Sequence, residues 1–207
     1  MALLVRPHLV EAPYRLVAEA AGVALGTVAK CMNDLVVRGL LRDQQGGRTI
    51  ADRPALVALW VQAYVDTLRP GLKERRFQVR IDDKPQLWAR LRAVLAEREQ
   101  RWALTGADAA ARRDGFFRAE DTEIYAPVAV LDDRAVQKAL VAQPAVRGGN
   151  LVVIEPPGPL AIPDAIGETI PAAPELLAYA ELRYRGTGQA TEAADLLLPR
   201  VLGDATD

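Results

Sequence analysis

The chain contains no serine, a single histidine and a single cysteine among its 207 residues. Without serine it cannot build a Ser-His-Asp triad, and with one histidine it cannot build a two-histidine metal centre. Cys31 has no second thiol for an internal disulfide, and with only His8 beside it the chain offers little to zinc. We therefore expect no metal site, no cofactor and no catalytic residues.

Long apolar runs are also missing. No stretch approaches the roughly 18 apolar residues that a membrane span needs. The N-terminal MALLVRPHLV is interrupted by Arg6 and Pro7, which is not the pattern of a signal peptide. Hydrophobic residues make up 50 % and charged residues 26 %, the balance of an ordinary folded chain. We expect a cytoplasmic protein with no membrane partner.

The net charge of −1 conceals an uneven distribution. Residues 1–80 carry 12 Lys and Arg against 7 Asp and Glu, a net charge of +5. Residues 81–207 carry 14 against 20, a net charge of −6, and the two values sum to −1. The N-terminal part is basic and the C-terminal part acidic. If the chain binds nucleic acid, we therefore expect the N-terminal part to make the contact.

The first 40 residues have the spacing of a helix-turn-helix. A first helix fits between Pro13 and Gly22, and a second fits Leu25 to Arg38, with Gly39 as its stop. Two helices that cross steeply need a small residue where they touch, which Ala18 supplies. Gly22, four residues later, supplies the positive φ of a tight turn. This spacing predicts a steep crossing of the two helices.

Two strand-like runs follow, at residues 40–42 and 48–50, and flank a Gly46-Gly47 turn. They predict a small hairpin, which together with the two helices forms a winged helix-turn-helix. A further helix is predicted from Asp52 and Pro54 up to Pro70, which ends it.

The periodicity of the second helix separates an inward face from an outward face. The inward face is expected to contain Val28, Cys31, Met32 and Leu35. The outward face then carries Thr27, Lys30 and Asn33. Lys30 suits a phosphate or a guanine, Asn33 the edge of an adenine, and Thr27 a phosphate or a base. We predict that this helix reads duplex DNA.

Three arginines are predicted to contact the DNA backbone around that helix. Arg42 and Arg48 flank the turn of the hairpin, and Arg15 lies near the start of the first helix. The alternative is a protein-interaction module with a degenerate winged helix, which a neutral surface on the second helix would favour.

The second part of the chain alternates strand-like and helical patterns. Strands are predicted at residues 77–81, 101–104, 123–131 and 151–155, and helices at 83–95, 106–113, 132–142, 174–185 and 189–202. We expect the α/β (α+β) class, with a winged helix-turn-helix domain at 1–70 and a mixed α/β domain at 71–207.

Several short motifs occur along the chain in a fixed order. The run PYRLVAEAAGVALGTVAKCMNDLVVRGLL precedes a W-x-x-x-Y pattern at Trp60 and Tyr64 and an L-R-P triplet at Leu68-Arg69-Pro70. Later motif residues are Trp102, Gly106, Ala109, Ala110, Arg118, Tyr125, Tyr179-Ala180-Glu181-Leu182, Gly186 and Glu192-Ala193-Ala194. From about residue 13 to 202 the chain resembles the AbiEi family of antitoxins from type IV toxin–antitoxin systems.

The resemblance implies an autorepressor that binds inverted repeats in its own promoter. It also implies a cognate toxin of the nucleotidyltransferase-like type as a partner. On this basis we expect a DNA-binding transcriptional regulator that is not an enzyme.

One other class stays open, a metal-dependent nuclease or nucleotidyltransferase-like enzyme that the winged helix delivers to DNA. Glu181 and Glu192 are its candidate carboxylates, because their two helices are joined by Gly186-Thr187-Gly188 and the side chains could approach each other or Arg185. The pair Asp132-Asp133 is better explained as a helix cap. Three acidic side chains converging in a cleft would favour the enzyme.

Overall fold

The computed structural model describes residues 1–45, 47–114, 121–164 and 170–203. The chain is a mixed α/β protein with one two-stranded and one five-stranded sheet, which confirms the predicted class. Arg118, one of the motif residues, lies outside the described ranges.

The N-terminal part begins with two short turns of helix and continues with a steeply bent helix pair. Its elements are α1 (Ala2–Val5), a 3₁₀ turn (Pro7–Val10), α2 (Tyr14–Ala21) and α3 (Leu25–Val37). The bend between α2 and α3 is 108°. Gly22 ends α2 in the left-handed region at φ 66°, and a Cβ there would lie 2.8 Å from Cγ of Pro159. Both the turn conformation and the close approach therefore require glycine at this position.

The predicted hairpin is present. Strands β1 (Leu41–Gln44) and β2 (Gly47–Ile50) pair antiparallel, with Leu41 opposite Ile50 and Arg42 opposite Thr49. The order helix, turn, helix, hairpin is the predicted one. The assignment of these elements to a winged helix-turn-helix stays a prediction.

A third long helix connects this part to the large sheet. Helix α4 (Arg53–Ala63) starts at Asp52, whose side chain accepts a hydrogen bond from the backbone N–H of Ala55 at 2.9 Å. It continues through a π-helical turn (Tyr64–Leu68) into α5 (Arg69–Gly71). The predicted end at Pro70 is thus correct to within a residue.

The large sheet has five strands. They are β3 (Glu74–Val79), β4 (Ala103–Leu104), β5 (Thr122–Tyr125), β6 (Ala142–Ala145) and β7 (Leu151–Ile154), in the spatial order β4-β5-β7-β3-β6. β5 and β7 pair parallel, and the other pairs are antiparallel. Every residue of β5 and β7 is buried, which is expected of central strands covered on both faces.

Helices cover both faces of this sheet. The remaining helices are α6 (Lys84–Ala96), α7 (Gly106–Asp114), α8 (Val128–Leu131), α9 (Arg134–Leu140), a 3₁₀ turn (Pro159–Ala161), α10 (Glu175–Arg185) and α11 (Gly188–Leu202). On one face the indole of Trp88 in α6 donates a hydrogen bond to the hydroxyl of Thr122 at 3.3 Å. On the other face Leu177 of α10 packs in a core with Val152 and Ile154.

Several of the predicted segments are wrong at their ends. The strand predicted over 77–81 is β3, Glu74–Val79, and the strand predicted over 101–104 is reduced to β4, Ala103–Leu104. The strand predicted over 123–131 stops at Tyr125, because Pro127 has no N–H to donate to a ladder, and α8 follows it. The helix predicted to reach Ala142 starts after Asp133, not Asp132, and ends at Leu140. The next residues form β6, an edge strand whose sequence Ala-Gln-Pro-Ala has no apolar alternation to reveal it.

One predicted core residue lies elsewhere. Val28, Met32 and Leu35 are buried as expected, but Cys31 is exposed. Its side chain lines an open, mainly apolar cavity of about 410 Å³ that α3 forms with α2, α4 and the N-terminal residues.

No single helix in the described ranges is both long and apolar enough to cross a membrane. The bent pair α2 and α3 reaches that length and composition only when its two helices are taken together.

The helix crossing yields a first prediction. Ala18 is buried at the α2–α3 junction, so Ala18→Leu should overpack it and lower the free energy of unfolding by about 1–3 kcal/mol. The matched control is Ala29→Leu on the exposed face of α3, which should change stability by less than about 0.5 kcal/mol. Urea melts measure both. Equal stability of the two variants would contradict the role of Ala18.

Candidate functional site

The outward face of α3 is the first candidate surface. Thr27, Lys30 and Asn33 are exposed and three residues apart, so they follow one side of the helix. Gly26 and Ala29, next to these residues, are also exposed. Because both are small, another molecule can approach the helix backbone closely. All three predicted base-reading residues are therefore accessible, with Thr27 at the border of the face, where it also lines the apolar cavity beside Cys31.

Two of the three predicted phosphate-contacting arginines lie on the surface. Arg15 on α2 and Arg42 on β1 are exposed, as is Lys30. Within the described part of the chain none of these three cations has a salt bridge. By contrast, Arg38 at the end of α3 is paired with Asp34 at 2.9 Å. Arg15, Lys30 and Arg42 are thus available to an anionic partner.

Arg48, the third predicted arginine, is turned toward the protein. Its Nη2 donates a hydrogen bond to the carbonyl oxygen of Ala12 at 2.5 Å. Its guanidinium also lies over the ring of Tyr14, 4.6 Å from the ring centre. These contacts engage one N–H donor and one flat face of the guanidinium.

A buried polar cluster is the second candidate site. The carboxylate of Glu181 on α10 accepts hydrogen bonds from Nε of Arg69, at 2.8 Å to Oε2, and from the hydroxyls of Tyr125 and Tyr64. The two tyrosine hydroxyls are 2.8 Å apart. Arg69 donates a further hydrogen bond from Nη2 to Glu74 at 2.5 Å.

Sequence reasoning missed this cluster as a unit, because Arg69 and Glu181 are 112 residues apart. A signal was nevertheless present. Tyr64, Arg69, Tyr125 and Glu181 are all residues of the motifs that carry the family resemblance, and the fold brings the four together.

The environment of the cluster shifts its protonation equilibria. Burial raises the pKa of Tyr64 above its usual range, and the negative charge of Glu181 raises it further. Burial lowers the pKa of Arg69, but the neighbouring Glu181 and Glu74 outweigh it and raise the pKa overall. Both tyrosines therefore stay neutral donors and Arg69 stays charged.

A second group of charges continues the cluster along the same face of the sheet. Arg76 on β3 approaches Glu74 at 3.0 Å and Asp121 at 3.8 Å. Arg185 on α10 is paired with Glu123 on β5 and lies 3.7 Å from Asp121. Acidic and basic side chains thus alternate from Glu181 to Glu123.

Three buried oxygens at the end of this row have no hydrogen-bond partner among the residues that the structure describes. They are Oγ1 of Thr105, Oδ2 of Asp108 and Oε2 of Glu123. Gly106 lies between the first two, at φ 55°, and a Cβ on it would be 1.9 Å from Oε2 of Glu123. Glycine is therefore required for the carboxylate to reach this place. Burial raises the pKa of Glu123 to about 7, although Arg185 opposes the shift.

The two carboxylates predicted to converge do not. Glu181 is fully buried in its cluster, whereas Glu192 is exposed on α11. Arg185 pairs with Glu123 and Asp121, not with either of them. Of the Asp132-Asp133 pair, Asp133 is the helix cap and accepts from the N–H of Ala135 at 2.7 Å, whereas Asp132 lies 3.6 Å from Nε of Arg75. Among the described residues no group of three or more His, Cys, Asp or Glu is arranged to hold a metal ion.

Comparison of the chain with protein-family models, with curated proteins and with solved structures gave no match. The resemblance to AbiEi antitoxins therefore rests on the motifs alone.

The shifted pKa of Glu123 yields a prediction for stability against pH. The pKa rises from 4.5, its usual value, to about 7 on folding. The folded protein therefore keeps a proton that the unfolded chain has released, and stability is lost as pH rises from about 4.5 through about 7. We expect the free energy of unfolding of the wild type to fall relative to that of Glu123→Gln between about pH 5 and about pH 8.

Urea melts at the two pH values measure this difference. Glu192→Gln, at an exposed position, is the control and should show no such change relative to the wild type. A difference between wild type and Glu123→Gln that does not vary with pH would contradict the proton on Glu123.

Proposed function

We propose that the protein is a transcriptional regulator that binds duplex DNA with α3. The observation that carries this proposal is the outward face of that helix, where Thr27, Lys30 and Asn33 stand exposed beside two small residues. A helix presented in this way fits the major groove, whose width admits one α-helix.

The roles of these side chains follow from their hydrogen-bonding groups. Lys30 donates to a guanine edge or a phosphate, and the amide of Asn33 both donates to and accepts from an adenine. Thr27, near the N-terminus of α3, donates to a phosphate. Arg15 and Arg42 lie on the elements before and after α3 and contact the backbone on either side of the groove.

The strength of binding is limited by the small number of free cations. Phosphate contacts from Arg15 and Arg42 correspond to a slope of about −2 in log affinity against log salt concentration, and a phosphate contact from Lys30 in place of a base contact would make it about −3. Such a protein binds DNA measurably at low salt and loses affinity steeply as salt rises.

We further propose the biological role that the resemblance implies, an antitoxin that represses its own promoter at inverted repeats and opposes a cognate toxin. Support comes from the meeting of Tyr64, Arg69, Tyr125 and Glu181 in one buried cluster. Four of the residues that carry the resemblance thus form one hydrogen-bonded cluster in this chain. The DNA site is double-stranded and palindromic in this proposal.

No catalytic step is assigned to the second part of the chain. On the α10 side of the sheet the carboxylates of Glu74, Asp121, Glu123 and Glu181 are each within salt-bridge distance of an arginine. A neighbouring arginine repels a metal cation and competes with it for the carboxylate oxygens. Docking or assembly on DNA suits such a surface better than hydrolysis does.

Replacement of Lys30 tests DNA binding. Lys30→Ala should weaken binding to a labelled duplex from the protein's own promoter by about 1–3 kcal/mol, because a base contact is lost. Lys73→Ala removes the same charge from an exposed position after α5 and should leave binding nearly unchanged. Fluorescence anisotropy titrations give both affinities. Wild-type affinity in both Lys30→Ala and Arg42→Ala would refute binding through α3.

An activity assay decides between regulator and enzyme. The full chain should neither cleave DNA nor transfer nucleotides in the presence of magnesium or manganese. The control is Glu181→Gln, which keeps the shape of the side chain and removes its charge. Metal-dependent turnover that disappears in this variant, while its urea melt still shows a folded protein, would favour the enzyme instead.

A further inference from the structure

The two arginines of the hairpin lie on opposite faces of it. Successive residues of a strand point to opposite faces, so Arg42 shares a face with its cross-strand partner Thr49. Arg48 shares the other face with Ile50 and Leu41, and Leu41 is buried. One arginine therefore points away from the helices and the other toward them.

Arg48 reaches the start of α2 from this inner face. It donates a hydrogen bond to the carbonyl of Ala12 and stacks on Tyr14, so it contacts the residues on either side of Pro13. Arg48 is half-buried, in contrast to the exposed Arg42. Half-buried and held by these two contacts, the guanidinium lies on the inner face of the hairpin, away from the outer face that carries Arg42.

We propose that Arg48 is a positioning residue that fixes the hairpin against α2 and thereby holds Arg42 toward the DNA. This inference rests on the proposed DNA binding and assigns the phosphate contact of the hairpin to Arg42 alone. It replaces the direct DNA contact that the sequence predicted for Arg48.

The contacts of Arg48 with Ala12 and Tyr14 form a clamp, which the hairpin needs because it is small. Two strands of four residues each are marginally stable on their own. A hairpin that moves freely must be ordered when DNA binds, and this ordering lowers affinity. A planar cation that stacks on an aromatic ring and donates to a carbonyl removes that cost before binding occurs.

The dependence of DNA affinity on salt separates positioning from direct contact. Affinity for a fluorescein-labelled duplex is measured over a range of KCl for the wild type, Arg42→Ala and Arg48→Ala. Loss of a phosphate contact should reduce the slope by about 0.9 in Arg42→Ala. Arg48→Ala should lower affinity about fivefold at every salt concentration and keep the wild-type slope. A slope that also falls by about 0.9 in Arg48→Ala would mean a direct contact and would overturn the proposal.

The double variant supplies a second criterion. If Arg48 acts through Arg42, then its replacement should have almost no further effect once Arg42 is alanine. Additive losses in the double variant would show that the two arginines act independently, which contradicts positioning.

A measurement without DNA keeps the two proposals distinguishable. Amide hydrogen exchange at Thr49, and at Ala51, whose N–H donates to the carbonyl oxygen of Leu40 at 2.9 Å, should be about tenfold faster in Arg48→Ala and in Tyr14→Ala than in the wild type, and unchanged in Arg42→Ala. Unchanged exchange in the first two variants would overturn the clamp whatever the DNA result. Failure of the wild type to bind any duplex, with exchange as expected, would refute the proposed function and leave the clamp in place.

Discussion

Arg69 and Glu181 form an ion pair that is almost wholly removed from water, and the arrangement around the large sheet depends on it. Taking two charges out of water is expensive, and their attraction compensates only when the remaining hydrogen-bonding groups are satisfied. Here Tyr64, Tyr125 and Glu74 supply those partners. The result is a contact that specifies one position of the end of α4 on α10, because displacing either charge leaves the other buried and unpaired.

This constraint reaches the proposed DNA-binding surface through α4. Leu56 and Val57 of that helix belong to the same apolar core as Val28 and Met32 of α3. At its start, Arg53 donates hydrogen bonds to the carbonyl oxygens of Val201 in α11 and Leu4 in α1. The predicted boundary at residue 70 falls between Arg69 and Glu74, which are hydrogen-bonded to each other. The division into two domains stays a prediction, but α3 rests on a helix that is held at both ends by the second part of the chain.

Features that depend on neighbouring residues could be predicted from the sequence, and features that depend on distant ones could not. The helix start at Asp52 and the turn at Gly22 follow from local backbone chemistry, and the structure has both. Strand β6 has no pattern of its own and exists because β3 offers it an edge. The cluster around Glu181 needs contacts across 112 residues, which no spacing rule reveals. The inward direction of Arg48 is an intermediate case. Side chains alternate between the two faces of a strand, so counting from the buried Leu41 could have placed Arg48 on the inner face.

Electrostatics then favours specificity over strength in the proposed DNA contact. Of the basic side chains around α3, Arg38 is neutralised by Asp34 and Arg48 is occupied by Ala12 and Tyr14. What is left is a short row of free cations beside an amide and a hydroxyl that can read base edges. Nonspecific affinity grows with the number of phosphate contacts, whereas discrimination grows with base contacts. A surface with few phosphate contacts binds tightly only where the bases of the DNA also form hydrogen bonds with Asn33 and Lys30. Two copies on an inverted repeat would double both kinds of contact, which is why a palindromic site suits a monomer with so small a basic surface.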